Sequence, residues 1–380
     1  MKVHHLSHID LDGYGAQFVA REFFKNITFY NANYGKEVSA RLKQILQNIA
    51  ESTADSGVGE KYLILITDLN LTLSEAKFLQ GEADLLNARG KKTQILLLDH
   101  HITGKDCAQN YAWYHLDERI CATKITLNYL LQNYATLDAD FAESGRNEEK
   151  MQRLAKFVDV IDSADTWKED GFGFEFGKVA LGMIAQSREF SRYMFEGFDN
   201  EFRFSLLEKA CEYLLDSAGN MRENAAVELD NNIFLFKKDI LGGERGRQTM
   251  EQILSHKQAE LLAQNKQKYL INIAGKKGIV TYGIGGISVV ANLFLRQNAD
   301  LDFFIDVGLR GNVSLRANGN CDVSEMAKEY FGGGGHKNAA GGRIDGFKET
   351  FLYKEAKAQL EAKIGLGADL EDDDDEQWGL

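Results

Sequence analysis

The chain has 380 residues, a formal net charge of −13 and 44% hydrophobic residues, a composition typical of a globular protein with more than one domain. The acidic balance argues against a protein that grips long duplex nucleic acid, because such proteins need a basic surface that displaces counterions. Small anionic ligands or short oligonucleotides fit this charge better.

Three features bear on the cellular location. No apolar run approaches the roughly 20 residues of a membrane-spanning helix. The first residues, MKVHHLSHID, lack the apolar core of a signal peptide. The four cysteines are scattered without pairing, as in proteins of a reducing compartment. We therefore expect a cytoplasmic protein with no membrane partner.

The first half of the chain alternates short apolar runs with amphipathic segments, which predicts a largely parallel sheet. The sequence TLSE at Thr72–Glu75 matches a capping box that opens a helix, and Gly90 follows its end. The predicted elements of this half are strands at Tyr62–Asp68 and Gln94–Asp99, and helices at about 72–88, 122–134 and 148–162.

The second half begins with a charged helical pattern at about 202–230, which predicts one long helix that connects two domains. A second α/β pattern follows, with strands predicted at 269–274, 279–282, 302–307 and 313–317, and helices at about 288–297 and 323–331. We expect a two-domain α/β protein that consists of an N-terminal parallel-sheet domain at residues 1–190, a helical linker at 191–235, a smaller α/β domain at 236–365 and an acidic disordered tail at 366–380.

Carboxylates follow several of the apolar runs. Asp12, Asp68 and Asp99 each come after a strand-like segment. Functional groups of open parallel sheets collect at the carboxyl ends of the strands, so we expect these three to share one edge. In LSHIDLD, residues His8, Asp10 and Asp12 are two apart, and an extended chain would turn all three to one face.

A further set of aspartates, Asp159, Asp162 and Asp165, punctuates the helical segment FVDVIDSADTW. Clustered carboxylates repel each other unless a positive group lies between them, and the sequence shows no obvious basic neighbour for these. Carboxylates combined with imidazoles suit manganese or a similar first-row ion better than calcium. Two ions roughly 3.5–4 Å apart can act together in phosphoryl transfer, and this set has enough ligands for two.

The order of these motifs resembles that of the DHH phosphoesterase superfamily. The run FGGGGHKNAAGG at Phe331–Gly342, with VSLRA before it, resembles the DHH-associated substrate domain. The two-residue spacing from His8 to Asp10 is similar to that of the nanoRNase and cyclic-nucleotide phosphodiesterase-like branch. The matching motifs of the first half are His8-x-Asp10-x-Asp12-Gly13, the strand-end Asp68, the triplet Asp99-His100-His101 and the aspartate segment before Trp167.

The resemblance implies a site with two metal ions, usually manganese, with magnesium or cobalt as substitutes. The ligands that it implies are His8 and Asp10 for one ion, Asp12 and His100 for the other, Asp68 as the bridge, and Asp165 in preference to Asp162 from the last motif. It also places His101 beside the scissile phosphate, where it would stabilise charge or protonate the leaving oxygen. Asp99 would orient a histidine from behind, as carboxylates at metal centres do.

The glycine run predicts an anion-binding loop, because consecutive glycines expose backbone N–H groups; a flexible linker is the alternative for the four glycines alone. Arg316, at the end of a predicted strand, can contact a phosphate through two nitrogens. The predicted substrate-binding residues are Gly333, Gly334, Gly335, His336 and Arg316.

These motifs together predict a manganese-dependent phosphodiesterase that hydrolyses short oligoribonucleotides or linear dinucleotides. The alternatives are a cyclic mono- or dinucleotide phosphodiesterase, a 3′,5′-bisphosphate nucleotide phosphatase and a nucleotide-binding sensor without turnover. The sequence leaves the oligomeric state open, a homodimer included.

Overall fold

The computed structural model describes residues 1–52, 60–137 and 148–366. The chain forms two compact units. The first comprises Met1–Arg188 and Gly197–Arg245, and the second comprises Glu189–Glu196 and the residues from Gly246 onward. None of the helices in the described ranges combines the length and the apolar composition that crossing a bilayer requires. The predicted tail at 366–380 lies outside the described residues from 367 onward.

The first unit is built on a five-stranded parallel sheet with the order β2-β1-β3-β4-β5. Its strands are β1 (Lys2–Ser7), β2 (Ile27–Asn31), β3 (Lys61–Thr67), β4 (Lys92–Asp99) and β5 (Tyr114–Leu116). Its helices are α1 (Leu11–Ala20), α2 (Lys36–Glu51), α3 (Leu73–Ala88), α4 (Lys105–Asn110), α5 (Ala122–Asn133), α6 (Glu148–Asp165), α7 (Phe174–Gln186), α8 (Glu196–Leu214) and α9 (Ala225–Ile240).

Helices cover both faces of this sheet, which is why β3 reads as a continuous apolar run. On one face, Ile64 and Ile66 of β3 pack in a cluster with Leu42 and Ile45 of α2 and Leu79 of α3. Helices α1 and α5 pack against each other and also contact β3. The predicted parallel α/β architecture is confirmed.

The local predictions hold for the strands and helices next to the functional motifs. Strands β3 and β4 end within a residue of their predicted ends, and the capping box of α3 is confirmed, since the Thr72 side chain accepts from the Glu75 amide. Helix α5 also lies in its predicted segment, and α6 begins where predicted but continues past 162 to Asp165.

The extended interpretation of LSHIDLD is wrong. Strand β1 ends at Ser7, Asp10 is the N-cap of α1, and Asp12 lies in the first turn of that helix. The Asp10 side chain accepts from the Gly13 amide at 3.0 Å, which starts the helix. A Cβ atom on Gly13 would lie 2.2 Å from the carbonyl oxygen of His8, so this abrupt change from strand to helix requires glycine.

The long linker helix expected at 202–230 is also wrong, because the segment forms two helices, α8 and α9. The break begins after Leu214, and within it the carboxylate of Asp216 accepts from the amides of Ala218 and Asn220 at 2.9 Å and so holds a turn. Phe204 of α8 packs on Phe29 at 4.9 Å between ring centroids. Nearly all of α8 and the whole of α9 therefore belong to the first unit, and the predicted boundary between linker and second domain falls inside α9.

The second unit contains a six-stranded mixed sheet with the order β10-β11-β9-β8-β7-β6, in which β7 and β8 are the parallel pair. Its strands are β6 (Leu270–Ile273), β7 (Lys276–Tyr282), β8 (Phe303–Val307), β9 (Asn312–Ala317), β10 (Gly334–His336) and β11 (Ala339–Arg343). Its helices are α10 (Met250–Gln264), α11 (Lys266–Tyr269), α12 (Ser288–Gln297), α13 (Val323–Phe331) and α14 (Tyr353–Lys363). Helices α12 and α13 have their predicted bounds.

The glycine run does not form the open loop that we expected. Gly332 ends α13 with a φ of +58°, and Gly334–His336 then form the edge strand β10, which pairs with β11. A Cβ atom on Gly333 would lie 1.9 Å from the carbonyl oxygen of Gly341. The glycines therefore let two backbone segments approach closely. Such a close approach and an anion-binding loop both require consecutive glycines, so the sequence pattern is the same for the two.

Candidate metal centre

The strand-end residues of the first unit come together at one edge of the sheet. Strands β1, β3 and β4 are neighbours and parallel, so the residues after them meet at their carboxyl ends. Three overlapping groups have ligand atoms within 4.8 Å of one another, and these groups are His8–Asp10–Asp68, Asp12–His100–Asp165 and Asp68–His100–His101. All six predicted metal ligands lie in these groups.

His8 lies between two carboxylates. Its Nδ1 atom is 2.8 Å from Oδ2 of Asp10 and 3.7 Å from Oδ2 of Asp68. Burial opposes the charged imidazole, but the hydrogen bonds and charges of these carboxylates outweigh it and raise the pKa of His8 to about 10. Burial likewise opposes the charged form of Asp10, yet His8 lowers the pKa of that carboxyl to about 2. A bound cation would take over the compensating charge and leave His8 neutral, as a metal ligand must be.

Asp68 is the most constrained member of the cluster. It is 1% exposed, and its φ of +57° lies in the left-handed region that aspartate seldom adopts. Burial and the charges of Asp12 and Asp10 raise the pKa of Asp68 well above its usual range. Among the described residues, Oδ2 of Asp68 has no hydrogen-bond partner. A buried carboxylate oxygen without a donor is costly, and a cation would satisfy it.

His100 points one nitrogen at three carboxylates. Its Nε2 atom lies 3.3 Å from Oδ1 of Asp68 and 3.7 Å from Oδ2 of both Asp12 and Asp165. Asp12 is held in place by α5, because the amides of Ala122 and Thr123 donate to its two oxygens at 2.7 and 2.8 Å.

Asp165, like Asp68, has one carboxylate oxygen without a hydrogen-bond partner among the described residues. Its Oδ2 atom makes no hydrogen bond with the part of the chain that the structure describes. Burial and the charge of Asp12 raise the pKa of Asp165 to about 8, although His100 opposes the shift. The same chemistry as at Asp68, a buried carboxylate facing other carboxylates, therefore fits a cation here too.

Asp162 serves a different purpose from Asp165. It accepts from the Cys121 amide at 2.8 Å, from Lys124 Nζ at 3.2 Å and from Lys168 Nζ at 3.0 Å. The assumption that no aspartate of this set has a basic neighbour is wrong for Asp159 and Asp162, because both pair with Lys124, which is distant in sequence. The oxygens of Asp162 are already satisfied, which leaves Asp165 as the member of this motif that faces the cluster.

A chain of hydrogen bonds backs His101. Its Nδ1 atom is 2.7 Å from Oδ1 of Asp99, and the Tyr114 hydroxyl donates to Oδ2 of Asp99 at 2.6 Å. A Cβ atom on Gly104 would lie 1.7 Å from that hydroxyl, so glycine leaves the room that Tyr114 needs. On the other side of the imidazole, the Tyr34 hydroxyl is 2.9 Å from Nε2 of His101.

Tyr34 and Tyr114 are residues of the site that sequence reasoning missed. A signal for Tyr34 was present, since ITFYNANYG is an apolar strand followed by polar and aromatic residues, the same pattern that marked Asp68. Tyr114 lies within a strand with no charged residue beside it, and its link to Asp99 depends on the pairing of β5 with β4.

The predicted substrate-binding residues lie together in the second unit. His336 of β10 is opposite Ala339 of β11, which is opposite Arg316 of β9. Residues that face each other across strands point to the same side, so Arg316 and His336 share one face of the sheet, about 10 Å apart. The Ser288 hydroxyl accepts from Nη2 of Arg316 at 3.0 Å. Gly334 and Gly335 are exposed beside them, and Gly333 is half-buried.

Comparisons with known proteins agree with this architecture. No protein-family model matches the chain. The chain is 48% identical over 361 residues to the 3′,5′-cyclic-nucleotide phosphodiesterase of Helicobacter pylori (strain ATCC 700392 / 26695), which covers 95% of this chain and 98% of that protein. It is 22% identical over 361 residues to the oligoribonuclease NrnB of Bacillus subtilis (strain 168), which covers 92% of this chain and 75% of that protein.

A solved structure shares the whole fold. The crystal structure of an uncharacterized protein from Helicobacter pylori G27 superposes with a TM-score of 0.86 at 46% identity, covering 96% of this chain and 99% of that one. Together with the 48% identity to the Helicobacter pylori phosphodiesterase, the two sheets and the carboxylate–histidine cluster identify the chain as a hydrolase that acts on phosphodiester bonds. The chain belongs to the DHH phosphoesterase superfamily, as the motifs of its sequence predicted.

Proposed function

We propose that this chain is a metal-dependent phosphodiesterase that hydrolyses 3′,5′-cyclic nucleotides. The observation that carries the proposal is the 48% identity to the Helicobacter pylori cyclic-nucleotide phosphodiesterase over 95% of this chain, which includes both units. The sequence alone ranked short linear oligoribonucleotides first, and this relative moves cyclic nucleotides ahead of them.

The residues of the first unit fit two cations. His8 and Asp10 would hold one ion, Asp12, His100 and Asp165 the other, and Asp68 would bridge them. Supporting this assignment are the two buried carboxylate oxygens of Asp68 and Asp165 that lack donors among the described residues. Mixed carboxylate and imidazole ligands favour manganese, with magnesium or cobalt as substitutes. When bound, the ions would neutralise charge on the phosphoryl oxygens and favour attack by water.

The protein's own groups orient and complete this chemistry. Asp99 and Tyr114 fix the ring of His101, so that Nε2 faces the side from which a phosphate would approach. His101 would then stabilise charge on the phosphoryl group or supply a proton to the leaving oxygen. Asp12 accepts hydrogen bonds from two amides in the first turn of α5, so its oxygens would stay in place when the charge at the cluster changes. In the second unit, Arg316, His336 and Gly333–Gly335 are proposed to bind a nucleotide through its anionic groups.

Short linear oligoribonucleotides are the second candidate substrate. The observation that favours them is the similarity to the oligoribonuclease NrnB over 92% of this chain, although the identity is 22%. Both candidates contain a 3′,5′-phosphodiester, so the same ions and the same His101 would serve either. Long duplex nucleic acid is a poor substrate for a chain with a net charge of −13.

A substrate panel tests the proposal. A 3′,5′-cyclic mononucleotide, a linear dinucleotide, a five-residue RNA and a 3′,5′-bisphosphate nucleotide are each incubated with the protein and manganese, and the products are separated by chromatography. We expect the highest kcat/KM for the cyclic mononucleotide. A higher value for the linear substrates would replace the first candidate by the second. Absence of hydrolysis with manganese, magnesium and cobalt would overturn the proposed activity altogether.

Matched histidine variants serve as controls. His101→Ala is expected to lose nearly all turnover, whereas His115→Ala is expected to keep it, because His115 is an exposed residue of β5 that packs on Tyr129 at 4.9 Å between ring centroids. Equal activity of the two variants would contradict the role of His101.

A further inference from the structure

Tyr34 is held in a fixed place beside the metal centre. It lies between β2 and α2, and β2 is the neighbour of β1 in the sheet. The Asn33 amide donates to Oε2 of Glu37 and the Tyr34 amide donates to Oδ1 of Asn33, both at 2.9 Å. Gly35, with a φ of +83°, then turns the chain into α2. The backbone under Tyr34 is therefore tied down on both sides.

The Tyr34 side chain contacts two histidines of the centre. Its ring centroid is 4.7 Å from that of His8 and 5.7 Å from that of His101, which it meets edge-on. Its hydroxyl is 2.9 Å from Nε2 of His101. The residue is 42% exposed, so it makes these contacts while a substrate in solution can still reach it.

The other side of the ring decides which nitrogen of His101 faces Tyr34. Asp99 lies 2.7 Å from Nδ1 of His101, and a carboxylate there requires a proton on Nδ1. Nε2 is then the nitrogen left to exchange a proton with the Tyr34 hydroxyl, 2.9 Å away. Nε2 is also the nitrogen that His101 would use on a substrate. An oxygen that approaches it meets the Tyr34 hydroxyl.

We propose that Tyr34 is a catalytic residue that passes a proton from His101 to the departing oxygen of the phosphodiester. This inference rests on the proposed function. A hydroxyl can donate one hydrogen bond and accept another at the same time, so Tyr34 can bridge Nε2 and the departing oxygen. This role also explains why a tyrosine hydroxyl lies 2.9 Å from Nε2 of His101, where it would otherwise block the approach of a substrate to that nitrogen.

The step balances without a further reactant. Water adds to phosphorus, the bond from phosphorus to the departing oxygen breaks, and its electron pair stays on that oxygen. The departing oxygen takes the phenolic proton of Tyr34, and the phenolic oxygen in turn takes the proton of His101 Nε2. The proton that the attacking water loses returns to Nε2 through solvent, so both residues recover their starting forms.

The dependence on the leaving group tests the proposal. Tyr34→Phe and the wild type are compared on the nucleotide that the wild type hydrolyses fastest and on bis(para-nitrophenyl) phosphate, whose nitrophenolate leaves without a proton. We expect the kcat for the nucleotide to fall about 100-fold, the usual size of acid catalysis, with KM little changed. The kcat for the nitrophenyl ester should stay near the wild-type value. Equal losses on both substrates, or no loss on the nucleotide, would overturn the role of Tyr34.

Three controls separate this role from a structural one. Tyr111→Phe should leave both activities unchanged, because Tyr111 lies outside the candidate centre and packs against Trp113 at 4.9 Å between ring centroids. Manganese content and melting temperature should match the wild type in Tyr34→Phe. Adding Tyr34→Phe to His101→Ala should cause no further loss on the nucleotide, since both act in one step; a further loss equal to that in the wild-type background would contradict the relay. If the wild type hydrolyses the nitrophenyl ester but no nucleotide, the proposed function fails and the relay fails with it, whereas equal losses on both substrates refute the relay alone.

Discussion

The hydrogen bond from Tyr114 to Asp99 allows a quantitative prediction. Tyr114→Phe removes a hydroxyl that donates at 2.6 Å to a carboxylate oxygen, and the two residues are 4% and 0% exposed. Water has little access to replace the lost donor. Leaving a buried acceptor unsatisfied costs about 1–3 kcal/mol, and a charged acceptor belongs to the upper half of that range. We therefore expect the free energy of unfolding to fall by about 2 kcal/mol.

The same substitution should slow the reaction, because Asp99 orients His101 through its other oxygen. A carboxylate released on one side can rotate, and the ring of His101 would then lose its alignment with the phosphate. A loss of about 1.4 kcal/mol in the transition state corresponds to a tenfold lower kcat. Gly104→Ala should act in the same direction, since its Cβ atom would lie 1.7 Å from the Tyr114 hydroxyl and force it away.

Urea unfolding followed by tryptophan fluorescence and steady-state kinetics measure the two effects. Tyr111→Phe is the matched control, because it removes a hydroxyl from the same segment without touching Asp99. A Tyr114→Phe variant with wild-type stability and kcat would refute the reasoning. So would a Gly104→Ala variant that behaves like the wild type, because the steric argument leaves no room for the added methyl group.

Three other outcomes follow from the structure. Asp165→Ala should lower manganese affinity by at least tenfold in equilibrium dialysis, whereas Asp162→Ala should keep the metal and lower the melting temperature, because it leaves the Cys121 amide without its acceptor. Removal of metal with a chelator should lower the melting temperature, and added manganese should restore it, since a ligand at 100 times its Kd stabilises by about 2.7 kcal/mol. Burial raises the pKa of Asp306 in β8 to about 6, although the Thr281 hydroxyl and two backbone amides oppose the shift. The protonated form is therefore favoured in the folded state, and its stabilising contribution, fully present below about pH 4, is lost as the pH rises through about 6. Hydrogen exchange of the β8 amides should show this loss in the wild type and not in Asp306→Asn.

The residues at strand ends were predictable because their signals are local. An apolar run that stops at an aspartate marks Asp68 and Asp99 wherever the strands lie, and parallel pairing then brings them to one edge. His100 and His101 follow from the same strand. The sequence pattern also predicted Asp165 over Asp162, through resemblance. The geometric reason is that two lysines satisfy the carboxylate of Asp162. Lys124 lies 38 residues before Asp162 in the sequence, and Lys168 lies 6 residues after it.

What the sequence could not predict depends on contacts between distant segments or on competition within a turn. The helix expected at 202–230 breaks because Asp216 captures amides that a continuing helix would use, and aspartate is common enough inside helices to hide this. The glycine run serves a close approach of two backbones, a need that appears only once β10 and β11 are paired. Tyr114 reaches the centre through the pairing of β5 with β4, which no local pattern states, whereas the apolar run before Tyr34 was a local signal that the sequence reasoning missed.

The position of Asp12 restricts how this enzyme can evolve. One carboxylate both faces the candidate metal centre and accepts from the first two amides of α5, so the proposed metal binding and the stability of the helix depend on the same side chain. An asparagine would turn an N–H group toward an N–H group, and a glutamate would displace the oxygens by the length of a methylene. No intermediate substitution keeps one task while altering the other. Lineages that adapt to a different metal are therefore expected to vary at His8, whose side chain caps no helix, and to keep Asp12 and the helix-capping Asp10 unchanged.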